Sequence, residues 1–212
     1  MILFIGLFCL LACNQAETKK VSPKHPDAPI SEKTRLQIDS GKALLQNGFI
    51  VLRKGNDITS EIFSLLNQTD KSFSHCGICF QENGQWIVYH SIGGEYNPDE
   101  KMKKESFEKF VQPADNTGFG VCNLKLSASQ TTILHHIVDS LYQQKVRFDM
   151  DFDLKSNDRL YCAEMVYKAV QSAVSNDTFF TTTLHNGFQF VSTDNIFVNK
   201  QAQMLCRINY SY

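Results

Sequence analysis

The chain has 212 residues, with 21 Lys and Arg against 22 Asp and Glu, so its formal net charge is −1. This balance excludes a protein that binds nucleic acid through bulk positive charge, because phosphate backbones require a basic surface. With 42% hydrophobic residues, the chain is able to bury a sizeable core and is not an acidic disordered tail. No run of about 18 apolar residues is present to form a membrane-spanning helix.

The N-terminal segment predicts export and anchoring. Residues 1–12 (MILFIGLFCLLA) are apolar but too short to cross a bilayer, which is typical of a signal peptide. Residues 10–13 (LLAC) resemble a bacterial lipobox, in which Cys13 becomes the lipidated first residue of the mature protein. The alternative is a core helix or plain signal peptide with an incidental cysteine. Residues 13–32 are polar and hold three of the five prolines, which predicts a tether between the lipidated Cys13 and one domain over residues 33–212.

From residue 33 onward, the sequence mixes predicted helices and strands, with antiparallel hairpins prominent. A helix through residues 62–66 is capped by Asp57 or Thr59, and the strands over 73–80 and 86–92 flank Asn83-Gly84, which predicts a hairpin. The spacing of apolar residues predicts further helices over residues 34–47 (ending at Gly48), 101–111, 131–144 and 160–173. Short apolar runs predict strands over residues 49–52, 121–126, 188–191 and 203–209. This mixture predicts an α+β fold in which an antiparallel sheet packs against helices.

The predicted hairpin brings two histidines together. A two-residue loop at Asn83-Gly84 fixes the register so that His75 and His90 lie on one face of the sheet. As diagonal neighbours they are roughly 7–8 Å apart by Cα, and closer at the ring tips. Gly77 between them leaves space above the sheet. The alternative is two unrelated histidines, each satisfied by its own surroundings.

Cys162 lies within the first turn of the helix predicted over 160–173, which Asn157 or Asp158 would cap. Unpaired backbone N–H groups and the helix dipole favour a thiolate there, which is the nucleophilic form of cysteine. A thiolate also needs an imidazole to accept its proton, and His75 or His90 is available for that role. The alternative is that Cys162 is a small core residue.

The remaining cysteines and acidic residues do not predict a second site. Cys76 and Cys79 lie on a strand, where alternation sends their side chains to opposite faces, so neither a redox pair nor a zinc site is expected. The acidic run over 149–153 lacks the Gly and the closing Glu of an EF-hand loop. No metal and no cofactor is therefore predicted. Without Cys9 and Cys13, five cysteines remain, and this odd number implies at least one free thiol in an exported protein.

Three segments in this order resemble the permuted papain-like amidases: residues 73–78 (FSHCGI), 86–90 (WIVYH) and 161–169 (YCAEMVYKA). That family belongs to the wider NlpC-type cysteine peptidase superfamily and is related to lecithin retinol acyltransferase. The resemblance runs from about residue 48 to 199 and implies a circularly permuted papain-like fold, with the nucleophilic cysteine at a helix N-terminus. The sequence departs from the family pattern at Phe49, where Asp is common, and at Cys76, where a small apolar residue is usual.

The resemblance implies a catalytic triad and a reaction. Cys162 is implied to be the nucleophile, His75 the general base and His90 the orienting third residue, whereas Glu164 is implied to be structural. The expected activity is that of an envelope-tethered amidase or peptidase, which hydrolyses an amide or ester through an acyl-enzyme.

The acyl substrate is a small molecule, a peptide or a lipid, and the membrane is contacted through lipidated Cys13. Two alternatives remain. A lipid acyltransferase or thioesterase of the same superfamily would show a long apolar groove beside Cys162, and a non-catalytic binding lipoprotein would keep the fold and a cleft. The sequence predicts neither the oligomeric state nor any disulfide.

Overall fold

The computed structural model describes residues 30–94 and 97–210, so the predicted signal segment, Cys13 and most of the tether lie outside the described residues. No helix in these ranges is long and apolar enough to cross a membrane. The elements in chain order are α1 (Glu32–Lys42), β1 (Ile50–Gly55), α2 (Ile58–Leu66), β2 (His75–Glu82), β3 (Gln85–His90), β4 (Lys103–Ser106), α3 (Phe107–Phe110), β5 (Asn116–Asn123), α4 (Ala128–Gln143), α5 (Cys162–Val174), β6 (Thr183–His185), β7 (Phe188–Phe190), α6 (Thr193–Phe197) and β8 (Gln203–Asn209).

A six-stranded sheet in the order β4-β3-β2-β1-β5-β8 organises the domain, and each of its strand pairs is antiparallel. Both faces of the sheet are covered by helices. On one face, buried strand residues pack against Leu134 of α4 and Met165 of α5. On the other face, they pack against Ile38 of α1 and Phe107 of α3. The predicted class, an antiparallel sheet packed against helices, is confirmed.

The predicted hairpin is present with the predicted register. Phe80 pairs with Ile87, and the turn residues Asn83 and Gly84 have φ angles of 49° and 80°. A two-residue turn of this type requires positive φ at both positions, which Asn and Gly adopt most readily. The local turn chemistry therefore determines which strand residues face each other.

The segment 101–111 is not the amphipathic helix that the sequence predicted. Lys103–Ser106 forms the edge strand β4 against β3, and only Phe107–Phe110 is helical. Lys104 contacts the Tyr89 ring on one face of this strand, whereas Glu105 reaches His90 on the other. These cross-strand contacts outweigh a helical spacing of apolar residues, and a short charged strand also discourages further pairing at the sheet edge.

Three further boundaries differ from the prediction. The first helix ends at Lys42 instead of 47, and Gly48 instead adopts a φ of 83° in the turn before β1. Strand β5 begins at Asn116, five residues before the predicted start at 121. The N-cap of α5 is Tyr161, so neither Asn157 nor Asp158 caps that helix. The prediction that Asp57 caps α2 is confirmed, because its carboxylate accepts the Ser60 N–H at 2.9 Å.

Candidate active site

Cys162 is the first residue of α5 and is 8% exposed. The chain around it is held from two sides. Glu164 Oε2 accepts the Tyr161 backbone N–H at 3.2 Å, and the Tyr161 hydroxyl accepts the Val191 backbone N–H at 2.7 Å. Glu164 thus has the structural role that the resemblance implied, because from the third position of α5 it accepts the backbone N–H of the N-cap residue Tyr161.

His75 begins β2 and His90 ends β3, and both imidazoles are buried. Their Nε2 and Nδ1 atoms, respectively, lie 2.9 Å apart, so the predicted approach of the two histidines is confirmed. Gly77 permits this approach, since a Cβ there would lie 2.6 Å from Val88 Cγ1 and 3.0 Å from His90 Cβ. Any larger residue would push the two strands apart.

An aromatic ring and a guanidinium surround the histidine pair. The Phe110 ring centroid lies 5.6 Å from that of His75 and 4.9 Å from that of His90. Arg53 stacks over the same ring at 4.5 Å and donates to the Phe110 carbonyl at 2.9 Å. Burial, reinforced by the positive charge of Arg53, lowers the pKa of His75 well below its ordinary value. His75 is therefore a neutral imidazole, the form that is able to accept a proton.

Glu105 is a site residue that the sequence analysis missed. Its Oε2 lies 3.2 Å from His90 Nε2, on the side of His90 away from His75. Burial lowers the pKa of His90, although the hydrogen bond to Glu105 opposes this, and the same bond lowers the pKa of Glu105. A strand prediction for 103–106 would have been the signal, because alternation then places Glu105 on the face of His90.

Cys162 and His75 line one pocket of about 510 Å³, together with Arg53, Ser74, Phe148 and Phe152. A narrow apolar recess of about 20 Å³ adjoins it at Cys162 and extends between α2 and the end of β7. Within the described residues, no hydrogen bond joins His75 to Cys162, whereas His75 and His90 are in direct contact. Catalytic hydrogen bonds commonly form only once the substrate is bound.

Cys76 is the side chain that lowers the pKa of Cys162 most. A hydrogen bond from the Cys76 thiol lowers the pKa of Cys162 against the opposing effect of burial, and the backbone N–H groups of Cys76 and Ala163 and the charge of Arg53 lower it further. The same contact raises the pKa of Cys76 well above its ordinary value. Of the two thiols, Cys162 is therefore the one whose pKa its surroundings lower. Cys79 lies in the apolar cluster on the opposite sheet face, as strand alternation predicts.

Comparison with known proteins assigns the chain to a family. Residues 45–201 match the family model described as the permuted papain-like amidase enzyme, YaeF/YiiX, C92 family. The chain belongs to this family. Membership confirms the permuted papain-like fold that the resemblance implied and supports a cysteine-type hydrolase.

A similar fold occurs in a solved structure, the crystal structure of the metalloprotein yiiX from Escherichia coli O157:H7. It is 18% identical, with a TM-score of 0.62, and the match covers 78% of this chain and 98% of that one. None of the curated proteins matches the sequence. In the part of this chain that is described, no group of three or more His, Cys, Asp or Glu side chains is placed to hold a metal ion, so we derive no step from a metal.

Proposed function

We propose that the chain is a cysteine-dependent amidase or peptidase that hydrolyses an amide or ester through an acyl-enzyme. Cys162 is the nucleophile, His75 the general base and His90 the residue that orients His75. The observation that carries the proposal is that Cys162, a thiol of lowered pKa at a helix N-terminus, lines one pocket with a neutral, buried imidazole. A lowered thiol pKa and a nearby base are what nucleophilic catalysis by cysteine requires.

The reaction follows from these two groups. Cys162 Sγ attacks the substrate carbonyl carbon, its proton passes to His75, and the carbonyl oxygen becomes a tetrahedral oxyanion. The Cys162 backbone N–H lies at the start of α5, where helix N–H groups have no partner within the helix, and is one donor to that oxyanion. The oxyanion collapses, the bond to the leaving group breaks, and His75 protonates the leaving amine or alcohol. Water then attacks the thioester carbon and gives a proton to His75. The C–S bond breaks to release the carboxylic acid, and His75 returns its proton to the Cys162 thiolate.

A lipid acyltransferase or thioesterase is the second candidate, and the apolar recess beside Cys162 favours it. Phe63 and Leu66 line this recess from α2, and Phe190 lines it from β7. The recess is far smaller than the main pocket, whose walls also include the polar side chains Ser74 and Asn97. We therefore prefer an amide or small ester substrate to a long acyl chain.

Alkylation by iodoacetamide tests the nucleophile, followed by mass spectrometry from about pH 5 to about pH 9. Cys206 is the internal control, since it is more exposed than Cys162 while burial raises its pKa. If activation governs the rate, Cys162 is labelled first, with an apparent pKa below about 8.5. Labelling of Cys206 first, or slow and even labelling of all thiols, would contradict the enzyme and favour a non-catalytic binding protein.

The base is tested with the ester p-nitrophenyl acetate. His75→Ala is expected to lower the hydrolysis rate by about 10²–10⁴-fold, the usual contribution of a positioned general base. It should also raise the apparent pKa of Cys162 alkylation, since the proton acceptor is lost. Equal hydrolysis rates in the variant and the unchanged chain would show that His75 is not the general base.

We also propose that the chain is anchored to the bacterial envelope through lipidated Cys13. The support is the apolar segment 1–12, the lipobox-like residues 10–13 and the polar tether up to residue 32. Such an anchor would hold the hydrolase beside wall peptides and lipids, both of which carry acyl groups.

A further inference from the structure

Three titratable side chains form a continuous hydrogen-bonded row across three neighbouring strands. Glu105 on β4 meets His90 Nε2 at 3.2 Å, and His90 Nδ1 meets His75 Nε2 at 2.9 Å. Both imidazoles are less than 10% exposed, and the Glu105 side chain is 23% exposed. The row therefore runs from the edge strand of the sheet to the pocket that Cys162 lines.

The carboxylate sets the direction of every hydrogen in this row. An ionised carboxylate only accepts hydrogen bonds, so His90 Nε2 must carry the hydrogen between it and Glu105. A neutral imidazole has one N–H, which leaves His90 Nδ1 as an acceptor. The hydrogen between the two rings then belongs to His75 Nε2. By the same rule, His75 Nδ1 is left with the lone pair and is the atom able to take a proton.

No other group near the pair defines this direction. Arg53 on β1 and Lys103 on β4 face the imidazoles as cations, and each disfavours the protonated form of a histidine it acts on. Phe110 on α3 contributes only its ring. Among the described residues, Glu105 is the one carboxylate hydrogen-bonded to either ring. Without Glu105, the hydrogen bond between the two imidazoles could be donated by His90 Nδ1 instead. The single hydrogen of His75 would then be on Nδ1, and that atom could not accept a proton.

We propose that Glu105 is a positioning residue, which holds His90 in the Nε2–H tautomer and thereby fixes His75 with Nδ1 free to accept the proton of Cys162. This rests on the proposed function, which supplies Cys162 and His75 as the reacting groups. Glu105 does not touch the substrate in this scheme. It acts through His90, in the way that a buried carboxylate selects the tautomer of a catalytic histidine.

Two variants of Glu105 distinguish the effect of its charge and of its hydrogen bond to His90 from the effect of its side-chain size. Glu105→Gln keeps the size of the side chain but presents either an oxygen or an NH₂ group to His90, so it no longer selects a tautomer. Glu105→Asp keeps an acceptor-only carboxylate on a shorter stem. The matched control is Glu82→Gln, because Glu82 has a similar exposure of 27% and bonds Tyr89 of β3 on the opposite face of the sheet.

The decisive readout is the histidine tautomer, measured by ¹⁵N chemical shifts in the full chain, together with the rate of p-nitrophenyl acetate hydrolysis. We expect Nε2–H at both His75 and His90 in the unchanged chain and mixed tautomers in Glu105→Gln. The hydrolysis kcat should fall at least about tenfold in that variant, by less than the about 10²–10⁴-fold loss expected for His75→Ala. KM should change little, Glu105→Asp should recover part of the rate, and Glu82→Gln should match the unchanged chain.

Each failure has its own pattern. A His90 with its hydrogen on Nδ1 in the unchanged chain, or tautomers that do not respond to Glu105→Gln, would overturn the positioning role. The role also fails if His75→Ala slows hydrolysis and Glu105→Gln does not. If Glu105→Gln shifts the histidine tautomers but neither Glu105→Gln nor His75→Ala changes the hydrolysis rate, the proposed function itself fails, and the positioning role fails with it.

Discussion

The two thiols in contact at the site differ only in their surroundings. Cys162 accepts hydrogen bonds from the Cys76 side chain and from two backbone N–H groups, which lower its pKa. Cys76 lies within a strand, fully buried, and its pKa is raised because it is the donor in that contact and is desolvated. One of the two positions at which the sequence departs from the family pattern, Cys76, therefore lies beside Cys162, the proposed nucleophile.

Removing the Cys76 donor should make Cys162 less acidic. We expect Cys76→Ala to raise the apparent pKa of Cys162 alkylation by about one to two units, since a hydrogen bond to a charged group is worth roughly 1.5–3 kcal/mol. Cys76→Ser keeps a donor and should shift it less. Cys79→Ala, on the same strand but the opposite face, is the control. An alkylation profile that is the same for Cys76→Ala and Cys79→Ala would show that Cys76 does not support the thiolate.

Sequence reasoning located His75 and His90 but neither the Cys76–Cys162 contact nor Glu105. The histidine pair follows from one turn and strand alternation, which are local rules. The other contacts depend on how α5 packs on β2 and how β4 pairs with β3. Such tertiary contacts join segments far apart in the chain and leave no periodic signal in either segment.

At the scale of the element, the first turn of α5 contains a buried acid. Glu164 is fully buried and pairs with Lys168 Nζ at 2.8 Å, yet burial raises its pKa to about 7. The folded chain therefore holds a proton on Glu164 between about pH 4.5 and about pH 7 that the unfolded chain has lost. Because the folded state binds more protons in this window, the free energy of unfolding falls as the pH rises through it.

Glu164→Gln should flatten this dependence. The shift is worth roughly 3 kcal/mol, so the loss of stability between about pH 5 and about pH 7.5 should be smaller in the variant by an amount of that order. Urea unfolding at several pH values measures it. Glu108→Gln, which removes a surface carboxylate paired with Lys42, is the control. Parallel stability profiles for Glu164→Gln and the unchanged chain would rule out Glu164 as the titrating group.

The elements also show where local patterns succeed. The hairpin, α4 and β8 were predicted close to their observed bounds because turn residues or a strong apolar spacing define each one. The segment of β4 was predicted as a helix because its charged and apolar residues recur with helical spacing. The four residues of β4 form a strand because they pair with β3 at the edge of the sheet. The residue pattern within the segment carries no information about that pairing.

At the scale of the whole molecule, the family model covers residues 45–201, while the similar solved structure is only 18% identical. The fold therefore persists through extensive change in sequence, with core packing met by many combinations of apolar residues. The sequence resemblance depended on three short segments that carry His75, His90 and Cys162. These segments carry three of the candidate site residues, whereas Arg53 and Glu105 come from other parts of the chain.

Anchoring through Cys13 is tested in the full chain expressed in a bacterium. We expect the chain to incorporate a labelled fatty acid and to sediment with membranes, because an acylated cysteine gives the polar tether its only strong membrane affinity. Cys13→Ser should abolish both, whereas Cys9→Ser, four residues earlier in the apolar segment 1–12, should not. If the Cys13→Ser variant sediments with membranes as well as the unchanged chain does, lipidation at this position is excluded.

The row from His75 to Glu105 has a consequence for folding order. His75, His90 and Glu105 are spaced 15 residues apart on consecutive antiparallel strands, whereas Cys162 joins them from a distant part of the chain. Contacts of short sequence separation form faster than distant ones. The histidine row is thus able to assemble before α5 docks. Until then Cys162 lacks its donors and is an ordinary thiol, with a pKa of about 8.5. The surroundings that lower the pKa of Cys162 are complete only in the finished fold, so the nascent chain carries a thiol that is not yet activated.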